Sequence, residues 1–188
     1  MKLCDAIPGT LYVVSEENAA VSENNRFTER FDFESASNLP LSKLFKAYLS
    51  YPTNPSAHIE AADRDEVRYQ PNTVIKDWSV NAPYSYLGCG MKYQDGKLTV
   101  PDPGQYYIYA QLYFHNNGRV FIRVNYKVVT MLQPPVNDKD FHGTVYAGGV
   151  FNLNANDVIT LTAHCYPDEK GPIIYMAPRH SYFGALLI

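Results

Sequence analysis

The residues of this 188-residue chain best suited to metal binding or nucleophilic chemistry are its five histidines and three cysteines. Their spacing favours neither use. His58, His115, His142, His164 and His180 are dispersed, and only His164-Cys165 sets two metal-type ligands side by side. Adjacent residues of a strand point to opposite faces, so even that pair does not converge. Cys4, Cys89 and Cys165 match no zinc-ligand spacing. Cys89 and Cys165 are a candidate disulfide in an extracellular chain, with two buried free thiols the equal alternative. No G-x-S-x-G elbow, glycine-rich phosphate loop or H-E-x-x-H occurs. Asp63, Arg64, Asp65, Glu66 and Arg68 read as a solvated, charged loop, as does Asp138-Lys139-Asp140. Arg119-Val-Phe-Ile-Arg123 alternates as a strand rather than forming a nucleic-acid platform. No catalytic residue, metal or cofactor is expected, and the chain reads as a non-enzyme.

Without side-chain chemistry, function must lie in a surface. The richest candidate is Leu98–Phe114, LTVPDPGQYYIYAQLYF. Pro101-Asp102-Pro103-Gly104 sets a tight turn, because proline fixes φ and glycine accepts positive φ. The ten residues that follow are too short and too rich in tyrosine for a helix, and read as a strand. Both of its faces are apolar. Tyr107, Tyr109, Gln111 and Tyr113 point one way, and Tyr106, Ile108, Ala110, Leu112 and Phe114 the other. A half-solvated strand would alternate apolar with polar, so each face here needs a cover. One face suits a sandwich core, and the other calls for a second partner.

The composition supports an all-β domain able to bury a sizeable core, with 46% hydrophobic residues, 16 Tyr and 9 Phe. The net charge of -3 carries no electrostatic footprint for nucleic acid. No run approaches the ~20 apolar residues of a membrane span, and Leu11–Val14 is too short for a signal peptide. Residues 1–55 read as a flexible stalk or linker, since Ser15–Asn38 is rich in Ser, Glu and Asn. Leu41, Leu44, Phe45, Tyr48 and Leu49 share one helical face, which predicts a short helix over 41–50. Residues 56–188 form the domain. Short strands divided by turn residues run through it, among them Ala57–Ala61, Val74–Trp78, Gln105–Phe114, Gly143–Leu153, Val158–His164 and Ser181–Ile188. No helical period separates them, which excludes parallel βαβ units and predicts an antiparallel jelly-roll β-sandwich. Gly148-Gly149 in mid-strand predicts a bulge that brings Tyr146 and Phe151 to the same side. The apolar C-terminal strand is expected at the centre of a sheet, tied down on both sides.

Four segments, in order, resemble the tumour necrosis factor superfamily of ligands. Leu98–Gln111 is similar to the segment opening that family's central strand, and Tyr146-Ala-Gly-Gly-Val-Phe151-Asn-Leu153 with Asn156-Asp157 to its Y-x-G-G-[VI]-F-x-L-x-x-x-D segment. Ser181-Tyr-Phe-Gly-Ala-Leu186 resembles its last strand and Ala57-His58-Ile59 its first, and Trp78 also fits. The compact hairpin over 120–132 is most similar to the ectodysplasin-like branch. Gln105 departs from the pattern, standing where the family places an aliphatic or aromatic residue. The 132–143 loop lacks the exposed tyrosine that several members use on receptors.

The resemblance implies a jelly roll that assembles as a homotrimer. A trimer interface of Tyr107, Tyr109, Gln111, Tyr146, Phe151, Tyr182 and Leu187 would then surround a three-fold axis. It implies a cytokine that binds and clusters cysteine-rich TNF-receptor-family ectodomains. By analogy the receptor-binding candidates are Arg64, Tyr69, Pro135, Asp138, Lys139, Arg179 and His180. It also implies an extracellular ligand, secreted or shed from a membrane-anchored precursor. The sequence shows no such anchor, and Arg26-Phe-Thr-Glu-Arg30 is one residue too long for an R-x-x-R cleavage site. Two alternatives stand beside it. One is a complement-head-like trimeric module binding cell-surface or polyanionic ligands, although no G-X-Y repeat precedes Ser56. The other is a carbohydrate-binding jelly roll that uses Trp78, Tyr84 and Tyr86 as a platform.

Overall fold

Val, Ile, Tyr, Phe and Thr recur through the second half of this chain, and these residues suit a pleated, half-buried surface. The computed structural model describes residues 54–164 and 171–188. The expected stalk up to residue 53 and the 41–50 helix lie outside the described residues. The described chain contains strands and no helix. They are β1 (Ser56–Ala61), β2 (Glu66–Arg68), β3 (Trp78–Ser79), β4 (Tyr86–Gly88), β5 (Lys92–Gln94), β6 (Lys97–Thr99), β7 (Gly104–Phe114), β8 (Arg119–Val124), β9 (Lys127–Leu132), β10 (Gly143–Leu153), β11 (Val158–His164), β12 (Ile173–Tyr175) and β13 (Tyr182–Leu187). All pair antiparallel, in an eight-stranded and a five-stranded sheet.

β7 organises the larger sheet. β10 pairs along its whole length, from Gly143 opposite Phe114 to Leu153 opposite Gly104. β13 and β12 pair with β7 on its other side, end to end. β1 follows beside β13, with β3 and β4 beyond it, and β2 lies beside β12. The C-terminal strand is therefore interior, as its composition predicts. The smaller sheet runs β5-β6-β11-β8-β9. Between the sheets lies a core in which Tyr106, Ile108, Ala110, Leu112 and Phe114 of β7 are all fully buried. Ile122, Ile159 and Leu161 of the smaller sheet face them within the same cluster, and Phe183 lies beside Ala110 on the neighbouring β13.

Several expectations are corrected. The β10–β7 register is continuous, so Gly148-Gly149 makes no bulge. Tyr146 therefore faces outward, while Phe151 lies on the opposite side and packs against the core. Gly148 is needed for close approach instead: a Cβ there would come 2.7 Å from the Tyr107 hydroxyl and 3.1 Å from that of Tyr146. Leu187, expected at the outward face, pairs with Tyr106, which places it on the core side as well. Glu66–Arg68, expected in a loop, forms β2 because Ile173–Tyr175 offers it a ladder. Of the expected Val74–Trp78 strand only Trp78 is in a strand, the two-residue β3, and Val74 makes a single bridge to Thr162. Trp78 is 6% exposed and tilted on Phe183 at 4.8 Å, with its indole N–H donating to the Ile75 carbonyl. It cannot serve as a glycan platform. Cys89 is disulfide-bonded, and the other two cysteines, Cys4 and Cys165, lie outside the described residues.

A buried carboxylate joins two loops over one end of the large sheet. Glu60 is 2% exposed, accepting the Tyr84 N–H at 3.0 Å and the Arg179 N–H at 3.2 Å. Its own N–H donates to Ser85 Oγ at 2.8 Å. Glu60→Ala leaves both loop amides without their acceptor. The expected cost is about 2–4 kcal/mol in urea unfolding, because each buried donor left unsatisfied costs about 1–3 kcal/mol.

Candidate functional site

The outward face of the large sheet carries the candidate site. Alternation along β7 sends Tyr107, Tyr109, Gln111 and Tyr113 to this side, each only partly covered. Register adds one residue from each neighbour: Tyr146 opposite Gln111 on β10, Tyr182 opposite Gln111 on β13, and His58 opposite Gly184 on β1. Tyr86 of β4, opposite His58, completes the row. Aromatic side chains thus cross every strand position from β10 to β4.

These side chains are tied to one another. The Tyr107 and Tyr146 hydroxyls are 2.6 Å apart, and the Tyr109 hydroxyl is 2.8 Å from His58 Nδ1. Tyr182 donates to Gln111 Oε1 at 3.0 Å. The His58 ring packs on Tyr182 at 5.0 Å and on Tyr109 at 6.0 Å, and Tyr107 stacks on Tyr109 at 5.9 Å. Towards the β12 end the row continues through Tyr113, Tyr175 and His180 to His115. There the Glu66 carboxylate lies 2.6 Å from His115 Nδ1.

Burial dominates the electrostatics. It raises the Tyr109 phenol, with the surrounding tyrosines adding to the shift, and pushes Tyr146 up to about 12 with help from the Tyr107 hydrogen bond. The phenols are therefore neutral at physiological pH and act as hydrogen-bonding groups on apolar rings. Burial lowers the His58 imidazole, and Glu60 opposes it more weakly. A histidine whose folded pKa is depressed binds fewer protons than in the unfolded chain. Its contribution is present above the ordinary value of 6.5 and is lost as pH falls through the folded value. Wild type should lose stability between about pH 7 and 5 by more than His58→Gln does, measured by urea midpoints. Parallel midpoint curves would exclude His58 as the source.

The residues expected at a trimer interface divide accordingly. Tyr107, Tyr109, Gln111, Tyr146 and Tyr182 converge on this face, and Phe151 and Leu187 do not. Continuity of the β10–β7 ladder, which sequence does not reveal, decides Phe151, and alternation along β13 from Tyr182 decides Leu187. His58 and Tyr86 were missed because their faces depend on the register of β1. Tyr146, Val150 and Tyr86 remain 51%, 51% and 47% exposed, so the face presents a large uncovered aromatic surface.

The receptor-contact candidates lie on loops. Arg64 is exposed and pairs with Asp77 at 3.1 Å, and its N–H donates to the Met176 carbonyl. That bond joins the β1–β2 loop to the loop carrying Arg179 and His180, both exposed. Tyr69 is buried and donates to Asp77 Oδ2 at 2.8 Å, so it supports Arg64's partner rather than offering a surface. Pro135, Asp138 and Lys139 are exposed on the β9–β10 loop, which Asn117 anchors through the Val136 carbonyl. Tyr126, at the tip of the β8–β9 hairpin, was missed. It is 94% exposed, and the two-residue turn Asn125-Tyr126 was the available signal.

Comparison with known proteins converges on this architecture. A model of the TNF (Tumour Necrosis Factor) family matches residues 76–137, spanning β3 to β9 and including β7 and Tyr126. The fold is similar to that of Eiger TNF from S. frugiperda, with a TM-score of 0.57, 15% identity and coverage of 72% of this chain and 92% of that one. It is also similar to murine APRIL, with a TM-score of 0.51, 18% identity and coverage of 72% and 99%. The family model thus covers the central strands of the domain, and the fold around them is the jelly roll that these two structures share.

Proposed function

We propose that residues 54–188 assemble as a homotrimer through the aromatic face, and that the trimer is an extracellular ligand that gathers cysteine-rich receptors of the TNF-receptor family. The uncovered row of tyrosines across the large sheet carries the reading. Isolated exposed apolar residues need no explanation, but a contiguous patch marks an interaction surface. Obligate interfaces resemble a domain core and bury upwards of about 2,000 Å². Tyrosine suits them, since its ring removes area from water while its hydroxyl keeps a hydrogen bond.

Receptor contact falls to the loops held by this rigid sandwich. Arg64, Arg179 and His180 form one group, Pro135, Asp138 and Lys139 a second, and Tyr126 a third. Three copies of such a surface raise avidity without new contacts where the geometry permits simultaneous engagement. Tyr126 is the favoured anchor, because an aromatic at a hairpin tip offers area at low entropic cost. A panel of receptor ectodomains identifies the partner. Against it, Tyr126→Ala should weaken binding about 30-fold, roughly 2 kcal/mol, with unchanged melting temperature and mass. Unchanged binding in both Tyr126→Ala and Arg179→Glu would remove these loops from the receptor surface.

A further inference from the structure

The five-stranded sheet has a charge distribution at odds with the whole chain. Its strands contain Lys92, Lys97, Arg119, Arg123 and Lys127 and no Asp or Glu. The full chain carries a net charge of -3. In the strands of the larger sheet the charged residues are Glu60, Glu66 and Arg68. Positive charge is therefore concentrated on one layer of the sandwich, the one remote from the aromatic face.

Register places most of it on the outward surface. Lys97 and Arg123 both stand opposite Thr160, on either side of β11, so one cross-strand row carries two cations. Lys92, opposite Thr99, lies on the next outward row, and Arg119 stands opposite His164. The intervening Ile159, Leu161 and Ala163 point into the core. Thr160 and Thr162 face outward yet are only 6% exposed, as expected where long basic side chains lie across a sheet. Burial and then Arg119 and Arg123 lower the His164 imidazole, which registers the positive field of this surface. The nearest acids in sequence are Asp95 and Asp157 in turns, with Asp168 and Glu169 outside the described residues. Asp157 is occupied by the Asn154 N–H and the Asn125 side chain.

We infer that this outer sheet face is a docking surface for a sulfated polysaccharide. Strands lie about 4.8 Å apart, so Lys97 and Arg123 are separated by about 10 Å at the backbone. One small anion cannot bridge that gap, whereas an extended polyanion lying across β5 to β8 meets successive cations. Proteins that hold single-stranded nucleic acid stack its bases on free aromatic planes. Phe121, the aromatic residue these strands turn outward, is already covered by the His164 ring at 4.5 Å and the Arg123 guanidinium at 5.5 Å. Charge complementarity without stacking fits sulfate groups on a sugar chain. The surface lies on the sheet opposite the one that bears the aromatic face.

The test uses the full chain and the double variant Lys92→Ala/Lys97→Ala, both sites being exposed lysines. The probe is a heparin oligosaccharide at about 0.15 M salt, with single-stranded DNA and phosphatidylserine vesicles as comparison surfaces. Wild type should bind heparin with a steep salt dependence. The double variant should lose at least about tenfold in affinity and flatten the log–log salt slope by about two, one for each cation removed. Its circular dichroism should be unchanged. Absence of heparin binding, equal affinity in the double variant, or equally tight binding to DNA or vesicles would overturn the proposal.

Discussion

Tyr109→Ala should abolish assembly while leaving a folded chain. Tyr109 lies at the middle of the aromatic face, between Tyr107, Tyr182 and His58. Within one subunit the substitution removes a hydrogen bond and a ring that is only partly buried, and its backbone ladder to Gly148 and Gly184 stays intact. That cost is about 1–3 kcal/mol. In the proposed trimer the same ring is lost three times at the centre of the interface. Central aromatic anchors cost about 2 kcal/mol or more each, which sums to about 6 kcal/mol and about four decades in the assembly constant. Tyr109→Phe keeps the ring and should fall between the two. Sedimentation of the alanine variant at micromolar concentration should show single chains with native circular dichroism. A variant that stays assembled and equally stable would show that this face does something else.

Gly184→Ala should instead destroy the fold. Gly184 lies on β13 between His58 of β1 and Tyr109 of β7. A Cβ there would come 2.2 Å from the Ala57 carbonyl oxygen and 2.5 Å from the Tyr109 hydroxyl. The carbonyl is backbone in the β1–β13 ladder and cannot withdraw without breaking it, so the expected cost is about 3 kcal/mol or more, at the upper end for overpacking. Gly148→Ala is the informative contrast. Its nearest neighbours are the ends of the Tyr107 and Tyr146 side chains, which can swing away. Folding should lose about 1 kcal/mol, and the loss should appear in assembly through the broken Tyr107–Tyr146 bond. A Gly184→Ala protein within about 1 kcal/mol of wild type would show that β13 can shift to make room.

Much of this was legible in the residues themselves. The two apolar faces of β7 follow from simple alternation, and every residue assigned to the core face is fully buried. The interior position of β13 followed from its greasy composition at a terminus. What failed depended on pairing. Gly148-Gly149 looked like a bulge because glycine in a strand has two explanations, a bend or a close neighbour. Only the Tyr107 and Tyr146 hydroxyls distinguish them. Phe151 changed sides because the expected bulge is absent, and Leu187 because alternation along β13 puts it on the face opposite Tyr182. Tyr69 looked like a loop contact because its partner Asp77 is invisible until the loops fold together. β2 was missed because three polar-flanked residues have no strand signal without the ladder of β12. The outer basic surface was legible as separate lysines and arginines, but their shared face is set by β11, whose partners lie 35 or more residues away in sequence.

The central claim is that the aromatic face is covered by further copies of this chain. Its most direct test is the mass in solution of the wild-type protein at micromolar concentration and neutral pH, by sedimentation equilibrium. A species at three times the 21.3 kDa of one chain is expected. A stable single-chain species under those conditions would contradict the claim, and would leave the row from Tyr146 to Tyr86 in need of a different partner.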